Sequence, residues 1–276
     1  MRAPAAVLKG MALAGAIAIV TVTPAPAQET EAGSTRAQNA AARWVVTGGY
    51  ETFAFRDISR SGRPVDASPI AWEGQGPAVG VTYERQDARR LHRIQVSAAR
   101  TGGFAYRSPT RLTDAAGGDA ASRVDARYEY RRYPLRDLLL DGLDVGIGAQ
   151  GIAGRVSAVR ETSPSLTARF AHSDIGAAGV IGARLRRWNG FELEAAWING
   201  LVISRRQREH SADALSSAAS WGGGWLEEIR LTGRVRLSRA TALTVGWWRS
   251  GEGFGSDHFN YATKRNAIMA GVSYAR

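Results

Sequence analysis

Ten residues, Arg123 to Arg132, read RVDARYEYRR and constrain the fold more tightly than any other stretch of the chain. Val124, Ala126, Tyr128 and Tyr130 alternate with Arg123, Asp125, Arg127, Glu129 and Arg131. A period of two places the two sets on opposite faces of an extended strand, whereas a helix would scatter both around its surface. One face is apolar and aromatic; the other is fully charged. The pattern recurs. Ile229, Leu231, Gly233, Val235 and Leu237 alternate with Glu228, Arg230, Thr232, Arg234 and Arg236. After Asn189-Gly190, a strong hairpin signal, Phe191, Leu193, Ala195 and Trp197 alternate with Glu192, Glu194 and Ala196. Leu143–Gln150 and Val79–Glu84 behave alike.

About ten such runs fall near 43–56, 77–87, 90–106, 122–133, 142–155, 175–187, 190–206, 224–238, 241–250 and 264–275. Their connections alternate. Those near 86–89, 134–141, 187–190 and 238–240 are short, while those over 59–76, 107–121, 157–174, 207–223 and 250–263 are long and polar. In an up-and-down meander every second turn lies at the same end, so one end is trimmed and the other elaborated. A soluble sandwich gives no reason for that asymmetry.

Composition removes other classes. A mean hydropathy of −0.23 leaves no room for several apolar helical spans. The chain has no cysteine, which excludes disulfides, thiolate metal sites and a cysteine nucleophile. Glycine, 32 of 276 residues, exceeds the usual ~7% and falls inside the strands. At the start, Arg2 and Lys9 precede the apolar run Met11–Val22, followed by Ala25-Pro26-Ala27. That order reads as a secretory signal peptide over residues 1–27, cut before Gln28, then a polar periplasmic tail over 28–42.

With these strands, this loop alternation and this leader, residues 43–276 resemble a bacterial single-chain outer-membrane β-barrel. The resemblance implies an all-β, up-and-down antiparallel transmembrane barrel of about ten strands, eight and twelve being the neighbouring options. Short periplasmic turns, long extracellular loops, an apolar face to lipid and a polar face to the lumen belong to that architecture. Trp44, Tyr133, Trp188, Trp225, Trp247 and Trp248 stand as candidates for its aromatic girdles. Gly271 and Tyr274 match the terminal assembly signal of such barrels, although Arg276 stands last in place of an aromatic residue. The implied partners are outer-membrane lipid, lipopolysaccharide and the barrel assembly machinery, with the protein a monomer.

Collecting the polar faces gives a lumen charge network, structural or solute-lining: Glu84, Arg93, Asp125, Arg127, Glu129, Arg131, Glu192, Glu194, Glu228, Arg230, Arg234 and Arg236. Asp144, Arg184 and Arg186 share that face. A barrel of about ten strands has little interior beyond what side chains fill, so the expected lumen is plugged or very narrow, and any path through it would favour small anions. The formal charge of +11 does not point to nucleic acid, because the arginines are distributed strand by strand. Arg60, Arg63, Arg107, Arg111, Arg205, Arg206 and Arg208 are expected at the outer rim, facing lipopolysaccharide phosphates.

The chemistry-bearing residues form no motif. Of four histidines, His172, His210 and His258 fall in or beside expected outer loops. Glu209-His210-Ser211 with Asp213, and Ser256-Asp257-His258, are compact, but neighbours on a strand point to opposite faces. No catalytic residue, metal ligand or cofactor follows. The function expected is that of a structural or surface barrel, or a narrow solute pathway. The alternatives are a barrel enzyme acting on lipid or peptide at the rim, and a soluble periplasmic ligand-binding barrel.

Overall fold

Alternation becomes strand at every one of the ten expected places. The computed structural model describes residues 41–57, 70–87, 89–107, 120–138, 142–163, 166–187, 190–211, 214–221, 223–255 and 260–275. The signal peptide and tail expected over 1–42 lie outside these residues, except for Ala41 and Ala42, which open the first strand. The strands are β1 (Ala41–Asp57), β2 (Ile70–Gln86), β3 (Arg90–Arg107), β4 (Ala120–Leu135), β5 (Leu143–Ser163), β6 (Leu166–Arg187), β7 (Phe191–Ser211), β8 (Ala214–Trp221), β9 (Gly224–Arg236), β10 (Thr241–Gly255) and β11 (Asn260–Ala275).

Each strand pairs antiparallel with its neighbour, and β1 pairs with β11 from Arg43↔Ala275 to Asp57↔Tyr261, which closes the sheet. Closure removes the open edges of the ten-membered ring; β8, at the long-loop end, pairs with β7 alone among the described residues. β8 and β9 share one place in the barrel: β8 pairs with the Ser204–Ser211 half of β7 and β9 with its Phe191–Gly200 half. Between Gly200↔Leu226 and Ser204↔Trp221, four steps along β7 meet five along the other path. One extra residue is accommodated there, and Gly223 beside it takes a φ of +82°. The barrel therefore has ten staves.

The short turns set one end. Asp87 accepts the backbone N–H groups of Arg89 and Arg90, both at 2.7 Å, and so fastens the β2–β3 turn. At the Asn-Gly hairpin Gly190 has φ +89°, and a Cβ there would lie 2.4 Å from the Cβ of Arg236, so only glycine fits. The other end departs from expectation. The connections read as long loops over 157–174 and 207–223 are largely strand, with residues 164–165, 212–213 and 222–223 between the strands. Runs such as Arg160-Glu161-Thr162-Ser163 and Gln207-Arg208-Glu209-His210-Ser211 are polar at both parities and interrupt the alternation there, yet the backbone ladder continues without it.

The two faces separate as the alternation requires. Val124 (53% exposed), Tyr128 (48%), Ile229 (41%) and Val235 (48%) point outward. Their charged neighbours point in and are buried, except Arg236 at the end of β9. An apolar belt on the outside and charge on the inside is the reverse of a soluble barrel.

Candidate functional site

The interior is built from the charged phase of the strands. β4 alone contributes Arg123, Asp125, Arg127, Glu129 and Arg131, all buried. Because the lumen is narrow, each reaches the opposite wall. Glu194 on β7 accepts two bonds from Arg93 on β3, at 2.9 and 2.7 Å, and one from Arg131 at 3.1 Å. Glu129 accepts from Arg230 on β9 at 3.1 Å and from Arg131. Glu228 accepts from Arg230 at 2.8 Å and from Arg127. Glu84 on β2 accepts from Arg93 at 2.9 Å and from Arg234 at 3.0 Å.

The contacts continue without a gap. Arg234 and Arg43 meet Glu192 at 3.2 and 3.4 Å. Toward the long-loop end, Asp125 takes Arg265 at 2.9 Å and Arg123, and Arg123 also donates to Glu51. Seven acids (Glu51, Glu84, Asp125, Glu129, Glu192, Glu194, Glu228) and eight arginines (Arg43, Arg93, Arg123, Arg127, Arg131, Arg230, Arg234, Arg265) thus form one connected set among the described residues. Buried charge is costly unless paired; here each arginine has at least one carboxylate partner.

Apolar layers fill what the charges leave. Ala78, Ala99, Trp248, Ala267 and Met269 cluster on the β2–β3 and β10–β11 wall, and Ala178, Val180, Ala196, Ile198 and Leu226 on the β6–β7–β9 wall. Beside the network a cavity of about 50 Å³ remains, lined by residues such as Thr47, Glu84, Arg93 and Arg234. That volume accommodates a water or two. Room for the arginine heads comes from glycine: a Cβ at Gly182 would stand 2.2 Å from Nη1 of Arg131.

A smaller cluster closes each end. At the short-turn end Asp144 accepts from Arg184 at 2.7 Å and Arg186 at 2.8 Å. The Arg184 guanidinium lies 4.2 Å from the centre of the Tyr133 ring, whose hydroxyl accepts from Arg131. Toward the long-loop end Arg205 grips Asp174 through Nε and Nη2 and approaches Glu252 at 3.8 Å, with His172 3.3 Å from Asp174. Ligand-type atoms of His172, Asp174 and Glu252 lie within 4.8 Å of one another. A divalent cation there would have to displace Arg205, which already neutralises the carboxylate.

Of the expected network residues, the structure brings together Glu84, Arg93, Asp125, Arg127, Glu129, Arg131, Glu192, Glu194, Glu228, Arg230 and Arg234. Arg236 is not among them. It has the inward phase but ends β9 and is exposed. Arg205, expected at the outer rim, is buried against Asp174. Arg206 is exposed as expected, and the side chains of Arg60, Arg63, Arg107, Arg111 and Arg208 lie outside the described residues. Two girdle candidates are corrected: Tyr133 (1% exposed) and Trp248 (9%) face the lumen, whereas Trp44 and Trp225 face out. Trp247 is half-buried on the outward face, and Trp188 lies outside the described residues. His172, expected in a loop, is buried on β6. His210 and Ser211 belong to β7 by backbone, and their side chains, like His258, lie outside the described residues. Sequence reasoning missed Arg43, Glu51, Asp174, Glu252 and Arg265, and it left Arg123 out of the network although it shares the charged face of β4.

The sequence matches no protein-family model and no curated protein. Solved structures match in fold. The outer membrane protease OmpT from Escherichia coli is 8% identical over 87% of this chain and 98% of that chain, with a TM-score of 0.65. The translocator domain of the autotransporter NalP from Neisseria meningitidis is 12% identical over 85% of this chain and 88% of that one, with a TM-score of 0.45. The outer membrane protein OprG from Pseudomonas aeruginosa is 8% identical over 86% of this chain and 97% of that one, with a TM-score of 0.37. The likeness to OmpT is one of fold: this chain is a closed, ten-strand, all-antiparallel barrel of the outer-membrane kind.

Proposed function

We propose that this protein is an integral outer-membrane barrel with a closed lumen, acting as a structural or surface protein and not as a diffusion pore. In this reading a signal peptide exports the chain, the assembly machinery inserts it as a monomer, and the short turns face the periplasm. Lipid and lipopolysaccharide surround the apolar belt. The observation that carries the reading is the cross-lumen network, because an open channel would leave water, and not Glu194 or Glu228, as the partner of these arginines. Planar-bilayer recordings of the refolded protein test it, with no stable ohmic channel expected. Channels in the nanosiemens range would refute closure.

A second reading, an enzyme at the outer rim, draws on the fold likeness to a protease barrel and on His172 beside Asp174. It ranks lower because His172 is shut away from solvent. Hydrolysis of peptide or phospholipid by the refolded protein, lost in His172→Ala, would raise it; an inactive wild-type protein would remove it.

A further inference from the structure

On the outward wall of β10, β11, β1 and β2 a polar row stands directly above an apolar one. Trp247, Ile268, Tyr50 and Pro77 are successive register partners across the four strands. Two residues nearer the long-loop end, Arg249, Asn266, Thr52 and Gln75 are successive partners in the same way, all exposed. One step higher, Lys264 is flanked by Gly251 and Ala54. A hollow of about 380 Å³ opens on the Ala54 side of Lys264, lined by Lys264, Asn266, Thr52, Ala54 and Gln75; Arg249 borders it beside Asn266, and on the other side the Trp225 ring covers Gly251.

Arg249 lies opposite Asn266 and diagonal to Lys264, so the two cations stand roughly 7–8 Å apart at their bases, within reach of a single phosphate between long side chains. Among the described outward-facing side chains above the apolar row on these four strands, the charged ones are these two, both positive; the nearest outward carboxylate, Glu227 on β9, is diagonal to Arg249 and accepts from Trp197. A site that is concave and cationic, and that continues downward into exposed Tyr50 and Ile268, fits a molecule with an anionic head and apolar tails.

We infer that this hollow seats the phosphorylated sugar headgroup of an outer-leaflet glycolipid. Arg249 and Lys264 hold the phosphate, Gln75 and Asn266 meet sugar hydroxyls, and the acyl chains lie along Ile268 and Tyr50. The assignment rests on the membrane reading above, since only insertion brings a leaflet to this height. Charge-assisted contacts to phosphate supply the affinity, and the hollow supplies the choice of this wall over the other outward bases, Arg100, Arg155 and Arg206.

The test is native mass spectrometry of the refolded protein titrated with diphosphoryl lipid A, with the same lipid stripped of both phosphates, and with inorganic phosphate as competitor. Wild type is expected to retain diphosphoryl lipid A in preference to the stripped lipid, with millimolar phosphate failing to displace it. The R249A/K264A variant should bind it about thirtyfold more weakly, from a factor of roughly five per lost base. R155A and the short-turn-end variant R85A should bind like wild type. Equal binding by R249A/K264A and wild type would overturn the site, as would equal retention of both lipids or displacement by free phosphate. Heat-modifiable migration of the same samples reports insertion separately: wild type that does not fold into bilayers removes the membrane reading itself, whereas folded protein that ignores lipid A removes only the site.

Discussion

Glu194→Gln probes what holds the lumen closed. The carboxylate takes three guanidinium N–H contacts, at 2.9, 2.7 and 3.1 Å, with its side chain 6% exposed. Glutamine keeps the shape but leaves one acceptor oxygen and turns an N–H₂ toward guanidinium donors. Removing one partner of a buried ion pair costs about 3–5 kcal/mol. Arg93 keeps Glu84 at 2.9 Å and Glu129 at 3.5 Å, which places the expected loss near the low end, about 3 kcal/mol. With urea slopes of roughly 1–3 kcal/mol per M, the unfolding midpoint falls by about 1–3 M. Glu192→Gln is the internal control: its contacts are longer, at 3.2 and 3.4 Å, and its side chain is 16% exposed, so about 1 kcal/mol is expected. The assay is urea unfolding in lipid vesicles followed by tryptophan fluorescence. Adding Arg131→Met to Glu194→Gln removes a guanidinium left with Glu129 alone, while Glu129 keeps Arg93 and Arg230, so the double variant should lose at least about 1 kcal/mol less than the sum of the Glu194→Gln and Arg131→Met losses. Equal midpoints for the two single variants, or simple additivity in the double variant, would refute the view that paired charge closes this barrel.

Two further substitutions address the outside and the packing. Val245 is 55% exposed, facing outward between Gly233 and Ala270; Val245→Arg should cost about 2–4 kcal/mol in bilayers, whereas an exposed site in water tolerates change within roughly 0.5 kcal/mol, so an unchanged midpoint contradicts a lipid-facing belt. Gly182→Ala puts a Cβ onto the Arg131 guanidinium and should lower the midpoint by about 1–3 kcal/mol as an overpacking change; if it is silent, Arg131 is not fixed between Glu194 and Tyr133.

Where one face was apolar and the other charged, the sequence sufficed to phase the strand: Arg123 to Arg131 on β4 and Glu228 to Arg234 on β9 point as their alternation requires. The same phase carries Tyr133 inward, two residues beyond Arg131, and reading it as a girdle residue ignored its parity. Glu51 was hidden because Tyr50-Glu51-Thr52-Phe53 mixes polar and aromatic residues on both faces. Arg205 was lost to a bulge. Register passes from Ile175↔Ser204 to Gly176↔Val202, leaving Ile203 as the extra residue, and inward positions change from even to odd, so Arg205 turns in and Arg206 out. Nothing in the residue pattern marks such a bulge, because both registers bury one member of the Arg205-Arg206 pair. Cross-lumen partners were equally unreadable, since pairs such as Arg127 and Glu228 are set by barrel closure and not by spacing along the chain.

The formal charge of +11 divides between two jobs once the strands are phased. Inside, seven carboxylates answer eight arginines, so the connected network nearly neutralises itself and contributes little to the net charge. The excess must therefore reside elsewhere, and above the apolar belt the outward walls show part of it in Arg100, Arg155, Arg206, Arg249 and Lys264. The two populations respond differently to salt. Exposed bases are screened within about 10 Å at ordinary ionic strength, whereas pairs buried as deeply as Glu194 and Arg131 are screened far less. Raising salt should then strip anionic lipid from the outer wall while leaving the barrel closed. On the proposed reading, interior charge keeps this small barrel shut, and exterior charge selects what gathers around it.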